Sequence, residues 1–155
     1  MNKTLIALSV ACLGMTLSAQ SMAASSTLET VKARGQLICG VNTAAPGFAS
    51  VDSKGNWTGL DVDVCRAVAA ATLGDASKVK FVPLSSPQRF TALQAGEIDM
   101  LARNTSWTMN RDTTTGALFT AVTYYDGQGF MVPKRLNVKS AKQLNGATIC
   151  VQSGT

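Results

Sequence analysis

The segment between Asn104 and Asp112 holds the side chains of this chain that are best suited to chemistry. It places several hydroxyl and amide groups within reach of one guanidinium, that of Arg111. A guanidinium binds a carboxylate through two parallel hydrogen bonds, and neighbouring hydroxyls and amides satisfy the remaining lone pairs. The segment therefore predicts a carboxylate-binding site. The same residues also fit a plain polar loop, in which Arg111 pairs with Asp112 or faces solvent.

A second candidate site lies at the end of the sequence. Thr148–Val151 is predicted to be a strand, and Gln152–Thr155 is predicted to be a tight polar turn. If a helix follows this turn, its free backbone N–H groups form an anion site. The alternative is a plain turn that binds no ligand.

The composition excludes several kinds of site. The 155 residues include no His, which rules out Ser-His-Asp and Cys-His catalysis and zinc sites built on His. The formal net charge is +5, but the 14 basic residues are spread along the chain, and only Lys134 and Arg135 adjoin. This dispersion argues against a nucleic-acid-binding surface.

Alternating helices and strands are predicted to position the segment at 104–112. Continuous apolar runs indicate buried strands, and the runs with helical spacing end at glycine. The predicted elements are a helix at Thr27–Arg34 with Thr27 as its N-cap, a strand at Gln36–Val41, a hairpin around Asp52–Asn56, a helix at Asp61–Leu73, a strand at Lys78–Leu84, a helix from Pro87 to Ala95 that Ser86 caps, and a strand at Ile98–Ala102. This order predicts an α/β fold with a mainly parallel sheet. Ligands of such sheets bind at the carboxyl ends of the strands, here Asn42–Phe48, Leu84–Pro87 and Arg103–Arg111.

The N-terminus has the layout of a secretory signal peptide. Lys3 precedes the apolar run Thr4–Leu17, and Ser21-Met22-Ala23 fits a small-x-Ala cleavage pattern. A signal peptide is therefore predicted at residues 1–23. One alternative is a buried N-terminal helix. Another is a lipoprotein cut before Cys12, although Ser9-Val10-Ala11 lacks the leucine expected three residues earlier.

Export would permit disulfides in the remaining chain. Cys39, Cys65 and Cys150 follow the predicted signal peptide, so one pair can form and one thiol is left over. The sequence contains no Cys-x-x-Cys motif, which disfavours a redox site or a zinc site built on cysteines.

Several motifs together resemble one protein family. They are, in chain order, Arg34–Val41, Gly59–Asp63, Arg89–Leu93 with Gly96–Asp99, Asn104–Thr108 with Arg111-Asp112, Tyr124–Phe130 and Gln152–Thr155. They cover nearly all of the chain after the predicted signal peptide. The chain resembles the periplasmic solute-binding proteins of polar amino-acid ABC transporters, the family 3 type, and within that family the general L-amino-acid-binding branch.

The resemblance implies a fold, a function and a site. Proteins of this family have two α/β lobes of the periplasmic-binding-protein type II fold, which close on an amino acid and deliver it to permease subunits in the inner membrane. Arg111 matches the arginine that holds the α-carboxylate, and Ser106 matches the residue whose hydroxyl and amide assist it. The backbone carbonyl at Asn104 is expected to accept from the α-ammonium group, and Thr155 matches the start of a second-lobe helix. The predicted ligand-binding residues are Asn104, Thr105, Ser106, Arg111 and Thr155.

The loop after the first strand departs from the family pattern. In several relatives an aromatic ring from this loop covers the side chain of the ligand. The nearest counterpart here is Ala45, with Pro46 and Phe48 close by. This departure is compatible with a broad substrate range.

The resemblance also implies a disulfide between Cys39 and Cys65, because in this fold the first long helix packs on the first strand. Cys150 resembles a cysteine whose partner lies farther along the chain. The pairs Cys39–Cys150 and Cys65–Cys150 are disfavoured, because they would join different lobes and resist hinge motion.

Compared with the family pattern, this chain is expected to contain only part of the two-lobed fold. Residues 24–126 would form the first lobe, and residues 127–155 the hinge, near Asp126–Gln128, and the start of the second lobe. Such a polypeptide is expected to bind amino acids weakly or not at all, and a non-functional fragment is one alternative. An arogenate or prephenate dehydratase-like enzyme, which needs a carboxylic acid in the cleft, is another.

The resemblance also implies properties of the whole protein. It predicts a monomer without cofactor or metal. Enzyme activity is not expected, because Asp112 is the only acid near the predicted pocket segments, and the dispersed charge disfavours a nucleic-acid partner. The predicted signal peptide indicates the periplasm of a Gram-negative bacterium.

Overall fold

The structure, a computed structural model, describes residues 26–155. The predicted signal peptide at residues 1–23 lies outside these described residues. The helices and strands are, in chain order, α1 (Thr27–Arg34), β1 (Leu37–Asn42), β2 (Ser50–Val51), β3 (Trp57–Thr58), α2 (Leu60–Leu73), β4 (Val79–Leu84), α3 (Gln88–Gln94), β5 (Met100–Leu101) and α4 (Met109–Thr114). Two short 3-10 turns follow, at Lys134–Leu136 and Ala141–Leu144. Within residues 26–155, no helix is long and apolar enough to cross a membrane.

Strand β1 is the centre of a three-stranded parallel sheet. It pairs with β4 along its whole length, from Leu37 opposite Val79 to Asn42 opposite Leu84. On its other side it pairs with the two residues of β5, so the strand order is β4-β1-β5. The predicted parallel α/β sheet is confirmed. Because the chain runs first to one side of β1 and then to the other, the connections diverge at the carboxyl end of β1, where such sheets bind ligands.

The face of β1 that carries Gly40 has no room for a side chain at that position. A Cβ at Gly40 would lie 2.7 Å from Ile98 Cδ1 and 2.8 Å from Leu84 Cδ1. Ile98 and Leu84 belong to the apolar cluster that packs with α3. Glycine therefore lets this layer close directly on the backbone of β1.

The opposite face of β1 packs against α2. Successive side chains of a strand alternate between faces, so Cys39 points away from the Gly40 side and joins the cluster formed with Val62 and Cys65. A Cys39–Cys65 disulfide links the strand to the helix, with Cα atoms 6.2 Å apart. As expected, this pair leaves Cys150 as an exposed free thiol.

Two predictions of helix caps are wrong. Helix α1 is capped by Ser26, not Thr27, because the Ser26 side chain accepts a hydrogen bond from the third residue of the helix. Ser86 was predicted to cap α3, but Pro87 occupies the cap position. The Ser86 hydroxyl is buried and instead accepts a hydrogen bond from Arg103, whose charge needs an acceptor there.

The predicted strand at Thr148–Val151 is also wrong. These residues are exposed, and no strand of the described chain lies alongside to bond their backbone groups. A single apolar segment gains no ladder of hydrogen bonds without a neighbouring strand. From residue 116 to residue 155, the 3-10 turns are the only helical or strand structure. Ile98–Ala102, predicted to be a five-residue strand, forms a ladder only at the two residues of β5.

Candidate ligand-binding site at the carboxyl edge of the sheet

The loop that follows β5 is fixed to the end of β1 and to the start of α2. Asn42, the last residue of β1, donates from Nδ2 to Asn104 Oδ1 at 2.9 Å. The backbone N–H of Asn104 donates to Asp61 Oδ2 at 3.0 Å. Asn104, a predicted pocket residue, is thus held through both its side chain and its backbone at the edge where such sheets bind ligands.

Asp61 is a buried carboxyl group in the first turn of α2. Burial raises the pKa of Asp61, because the charged form loses its water, whereas the Asn104 N–H and the charge of Arg103 act to lower it. The first turn of a helix favours negative charge, which offsets part of the desolvation. In the sequence, Asp61 stands out only as part of the Gly59–Asp63 motif, which does not indicate this role.

Arg103 joins the end of β4 to the loop after β5. The residue is 4% exposed, and its Nε donates to Leu84 O while its Nη2 donates to Ser86 Oγ, both at 3.0 Å. Burial lowers the pKa of Arg103, and the nearby Asp61 raises it. The carbonyl of Arg103 also accepts from the hydroxyl of Thr105, a predicted ligand-binding residue. The contacts of Arg103 therefore shape the loop that carries the predicted site.

Arg111 and Ser106 form a hydrogen-bonded pair, here called the Arg111–Ser106 unit. Helix α4 begins after Thr108, whose Oγ1 accepts from the backbone N–H of Arg111 at 3.2 Å. The Arg111 side chain folds back, and its Nη1 donates to Ser106 O at 2.9 Å. Among the residues that the structure describes, Arg111 forms no ion pair with Asp112. The half-buried guanidinium is therefore held beside Ser106 and not by the neighbouring acid.

Arg89, which belongs to the Arg89–Leu93 motif and is not a predicted site residue, lies at the same edge. It is the second residue of α3, just beyond the end of β4, and is 2% exposed. Its Nη2 donates to Gly154 O at 3.2 Å. Its Nε is buried and has no hydrogen-bond partner among the described residues. A cation in the first turn of a helix opposes the helix dipole, and this is the sequence signal that could have singled out Arg89.

The guanidiniums of Arg89 and Arg111 lie over the same aromatic ring. Their central carbons are 5.1 Å and 5.8 Å from the centroid of Phe90. Burial first, then the charges of Arg111 and Arg103, lower the pKa of Arg89 to about 10. Three arginines thus bring positive charge to one edge of the sheet, whereas the sequence predicted one.

The predicted turn at Gln152–Thr155 touches this edge through its glycine. A Cβ at Gly154 would lie 3.1 Å from Pro87 N, at the start of α3. The Thr155 hydroxyl donates to Gln152 O at 2.7 Å, within its own turn. Among the described residues, Thr155 makes no hydrogen bond to the loop that carries Ser106 and Arg111.

Aromatic residues flank the loops at this edge. Phe48, in the loop after β1, packs edge-on against Tyr124 with ring centroids 5.2 Å apart. Ala45, the expected counterpart of the family's aromatic residue, forms a two-way backbone bridge with Ala49 and is half-buried. Trp107, which adjoins Ser106 in sequence, is 51% exposed and stacks on Phe119.

The predicted site is an open edge, not an enclosed pocket. A cavity of about 420 Å³ is lined by Phe130 and by six residues of the segment Ala141–Ile149, and one of about 150 Å³ lies between α1 and the sheet. Neither contains a predicted ligand-binding residue. Within residues 26–155, no three His, Cys, Asp or Glu side chains converge in a way that could hold a metal ion.

Comparison with known proteins assigns the chain to a family. The model of the bacterial extracellular solute-binding proteins, family 3, matches residues 37–147. The chain belongs to this family. The expected fold class, a partial lobe of the periplasmic-binding-protein type II, is confirmed by its structural neighbours.

Two curated proteins illustrate the relationship. The chain is 63% identical, over 135 residues, to the general L-amino acid-binding periplasmic protein AapJ of Rhizobium johnstonii, covering 87% of the chain and 40% of that protein. It is 62% identical, over 133 residues, to the glutamate/glutamine/aspartate/asparagine-binding protein BztA of Rhodobacter capsulatus, covering 86% of the chain and 39% of that protein. The chain therefore spans about two fifths of the length of these relatives.

A solved structure shows the same fold. The periplasmic binding protein of an ABC transporter from Brucella ovis, with glutathione bound, superposes with a TM-score of 0.80 at 58% identity. The match covers 84% of this chain and 41% of the Brucella chain.

Proposed function

We propose that this chain is part of the substrate-binding component of an amino-acid ABC transporter. Such a component captures L-amino acids in the periplasm and delivers them to permease subunits of the inner membrane. The observation that carries the proposal is the Arg111–Ser106 unit, which holds a guanidinium at the carboxyl edge of a parallel sheet. The family and the names of the relatives, which describe amino-acid-binding proteins, support it.

The predicted site residues suit an α-amino acid. A carboxylate beside Arg111 would accept two N–H bonds from the guanidinium, and the hydroxyl and backbone N–H of Ser106 would satisfy its remaining lone pairs. The carbonyl of Asn104 would accept from the α-ammonium group, while Asp61 fixes the backbone there. Thr105 would line the same loop, and Thr155 would reach the carboxylate from the second lobe.

Binding without chemistry fits this site better than the dehydratase alternative. A dehydratase needs a carboxylic acid free to donate a proton to the substrate. The acid that contacts the loop, Asp61, is buried and accepts from the backbone of Asn104. Asp112 is exposed on α4. We therefore propose a binding protein with no enzyme activity, cofactor, metal or nucleic-acid partner, acting as a monomer.

The proposed organisation follows the same family pattern. Residues 1–23 would direct export to the periplasm, residues 24–126 would form the first lobe, and residues 127–155 would form the hinge and the start of the second. The described chain supports this division, because its helices and sheet strands all end before residue 116 and only 3-10 turns follow.

The proposal can be tested by NMR titration of the ¹⁵N-labelled chain with L-leucine and with L-leucinamide, which lacks the carboxylate. We expect L-leucine, at millimolar concentration, to shift the backbone amides of Ser106 and Arg111, and leucinamide to leave them unchanged. Arg111→Ala should abolish the shifts, whereas Arg135→Ala, at an exposed position, should not. Equal shifts with L-leucine and leucinamide, or shifts with L-leucine that Arg111→Ala leaves intact, would contradict the proposed function.

A further inference from the structure

Asn145-Gly146 is the one place in the sequence where glycine directly follows asparagine. The backbone nitrogen that follows an asparagine can attack the carbonyl carbon of its side chain, and glycine leaves the approach open because it has no Cβ. Both residues are exposed. Among the described residues, neither the Asn145 side chain nor the Gly146 N–H has a hydrogen-bond partner. Both reacting groups are therefore accessible.

The turn that holds this pair offers little resistance to the attack. It is closed by one backbone hydrogen bond, from the Ala147 N–H to Leu144 O at 3.0 Å. Asn145 has an extended ψ of 127° and must rotate to react, which opens this bond. One such bond changes an equilibrium by no more than about tenfold. A Cβ at Gly146 would find no atom within 4 Å, so no neighbour blocks the rotation.

The other asparagines in the described part of the chain lack this combination. Four of them have bonded side chains or lie in a helix: Asn42, Asn56, Asn104 and Asn110. Asn137 is the closest match to Asn145, because it is also exposed and also follows a 3-10 turn. The next residue there is Val138, whose branched side chain crowds the backbone nitrogen.

We propose that Asn145 is a site of spontaneous deamidation. The Gly146 nitrogen forms a bond to Asn145 Cγ while the bond from Cγ to Nδ2 breaks. The proton of the Gly146 N–H leaves with Nδ2 as ammonia, and a five-membered succinimide ring remains. Water then opens the ring at either of its two carbonyl carbons and gives aspartate or isoaspartate. The reaction needs only water as a co-reactant.

The product changes the charge of the C-terminal segment. Residues 127–155 contain four basic residues and no acidic one. Asn145 and Lys142 both line the cavity of about 420 Å³. Deamidation therefore places the first carboxylate of this segment in the same cavity wall as a lysine. Isoaspartate also adds one methylene group to the backbone and lengthens the turn.

Incubation of the full chain at neutral pH, followed by peptide mass spectrometry, tests the proposal. The peptide with Asn145 should gain about 1 Da and separate into two chromatographic forms, whereas the peptide with Asn137 should stay unchanged over the same period. The folded chain should react within about tenfold of the rate of a guanidinium-unfolded sample. An Asn145 that stays unmodified in the folded chain, or an Asn137 that reacts as fast, would overturn the proposal.

Exchange of the two following residues gives matched variants. Gly146→Val should suppress the reaction at Asn145, and Val138→Gly should create it at Asn137. Valine strains a backbone with the φ of 79° found at Gly146, but Val138→Gly and the unmodified chain give their results even if that variant does not fold. If Gly146→Val reacts at the original rate, or if Val138→Gly leaves Asn137 inert, attack by the following nitrogen is not the route and the inference is wrong.

Discussion

Removal of the Cys39–Cys65 disulfide should lower the free energy of unfolding by about 3.5 kcal/mol. The bridge joins residues 26 positions apart, and in the chain-entropy model a closed segment of this length restricts the unfolded chain by that amount at 25 °C. Both cysteines are fully buried between β1 and α2, so reduction leaves the two sulfur atoms packed in place. Since single domains are stable by only about 5–15 kcal/mol, this loss is large.

Urea unfolding followed by circular dichroism measures the effect. The experiment is best done with Cys150→Ser, because the exposed Cys150 thiol can otherwise exchange with the disulfide. Oxidised and reduced samples of this variant differ only in the bridge, and Cys39→Ala with Cys65→Ala shows the added cost of losing the sulfur atoms. A difference below about 1 kcal/mol between oxidised and reduced protein would refute the loop-closure reasoning.

Three further predictions follow from buried contacts. Gly40→Ala should cost about 1–3 kcal/mol in urea unfolding, because its Cβ would lie 2.7 Å from Ile98 Cδ1, and an unchanged midpoint would contradict the packing described. Ser86→Ala should cost about 1–3 kcal/mol in the same assay, because Arg103 loses a buried acceptor, while Ser86→Thr should retain most of the stability. The pKa of Asp61 is raised from 3.8, so the folded chain binds this proton more readily than the unfolded chain, and the contribution of Asp61 to stability should rise as the pH falls through the range just above 3.8. Asp61→Asn should lack this rise when unfolding is measured between about pH 7 and pH 4, and a fall in the wild-type stability relative to the variant would reverse the argument.

The sheet and its helices could be predicted because their signals are local. The buried strand at Leu37–Asn42 is a continuous apolar run, and the helix at Leu60–Leu73 ends at Gly74, whose φ of 72° suits glycine. The short length of β5 could not be predicted, since a ladder depends on how far the neighbouring strand extends. The strand expected at Thr148–Val151 failed for the same reason, because strand formation needs a partner that composition does not reveal.

The residues of the candidate site also fall into two groups, those that the sequence could predict and those that it could not. The sequence placed Asn104, Ser106 and Arg111 together because they are close along the chain. Arg89 and Asp61 reach the same edge from separate helices, and only the folded sheet brings them there. Arg89 and Asp61 are far in sequence from residues 104–111, and no regular spacing connects them. A sequence pattern therefore cannot show that these residues meet in the fold.

Trp107 can serve as an intrinsic fluorescent probe of the candidate site. Its indole is half-exposed, stacks on Phe119 and adjoins Ser106, whereas Trp57 lies in β3 beside Phe81. Indole emission responds to changes in local polarity and ring contact. Trp57→Phe would leave a single fluorophore next to the loop that carries Arg111, so occupancy could be read from intrinsic emission without a dye, a label or a second protein.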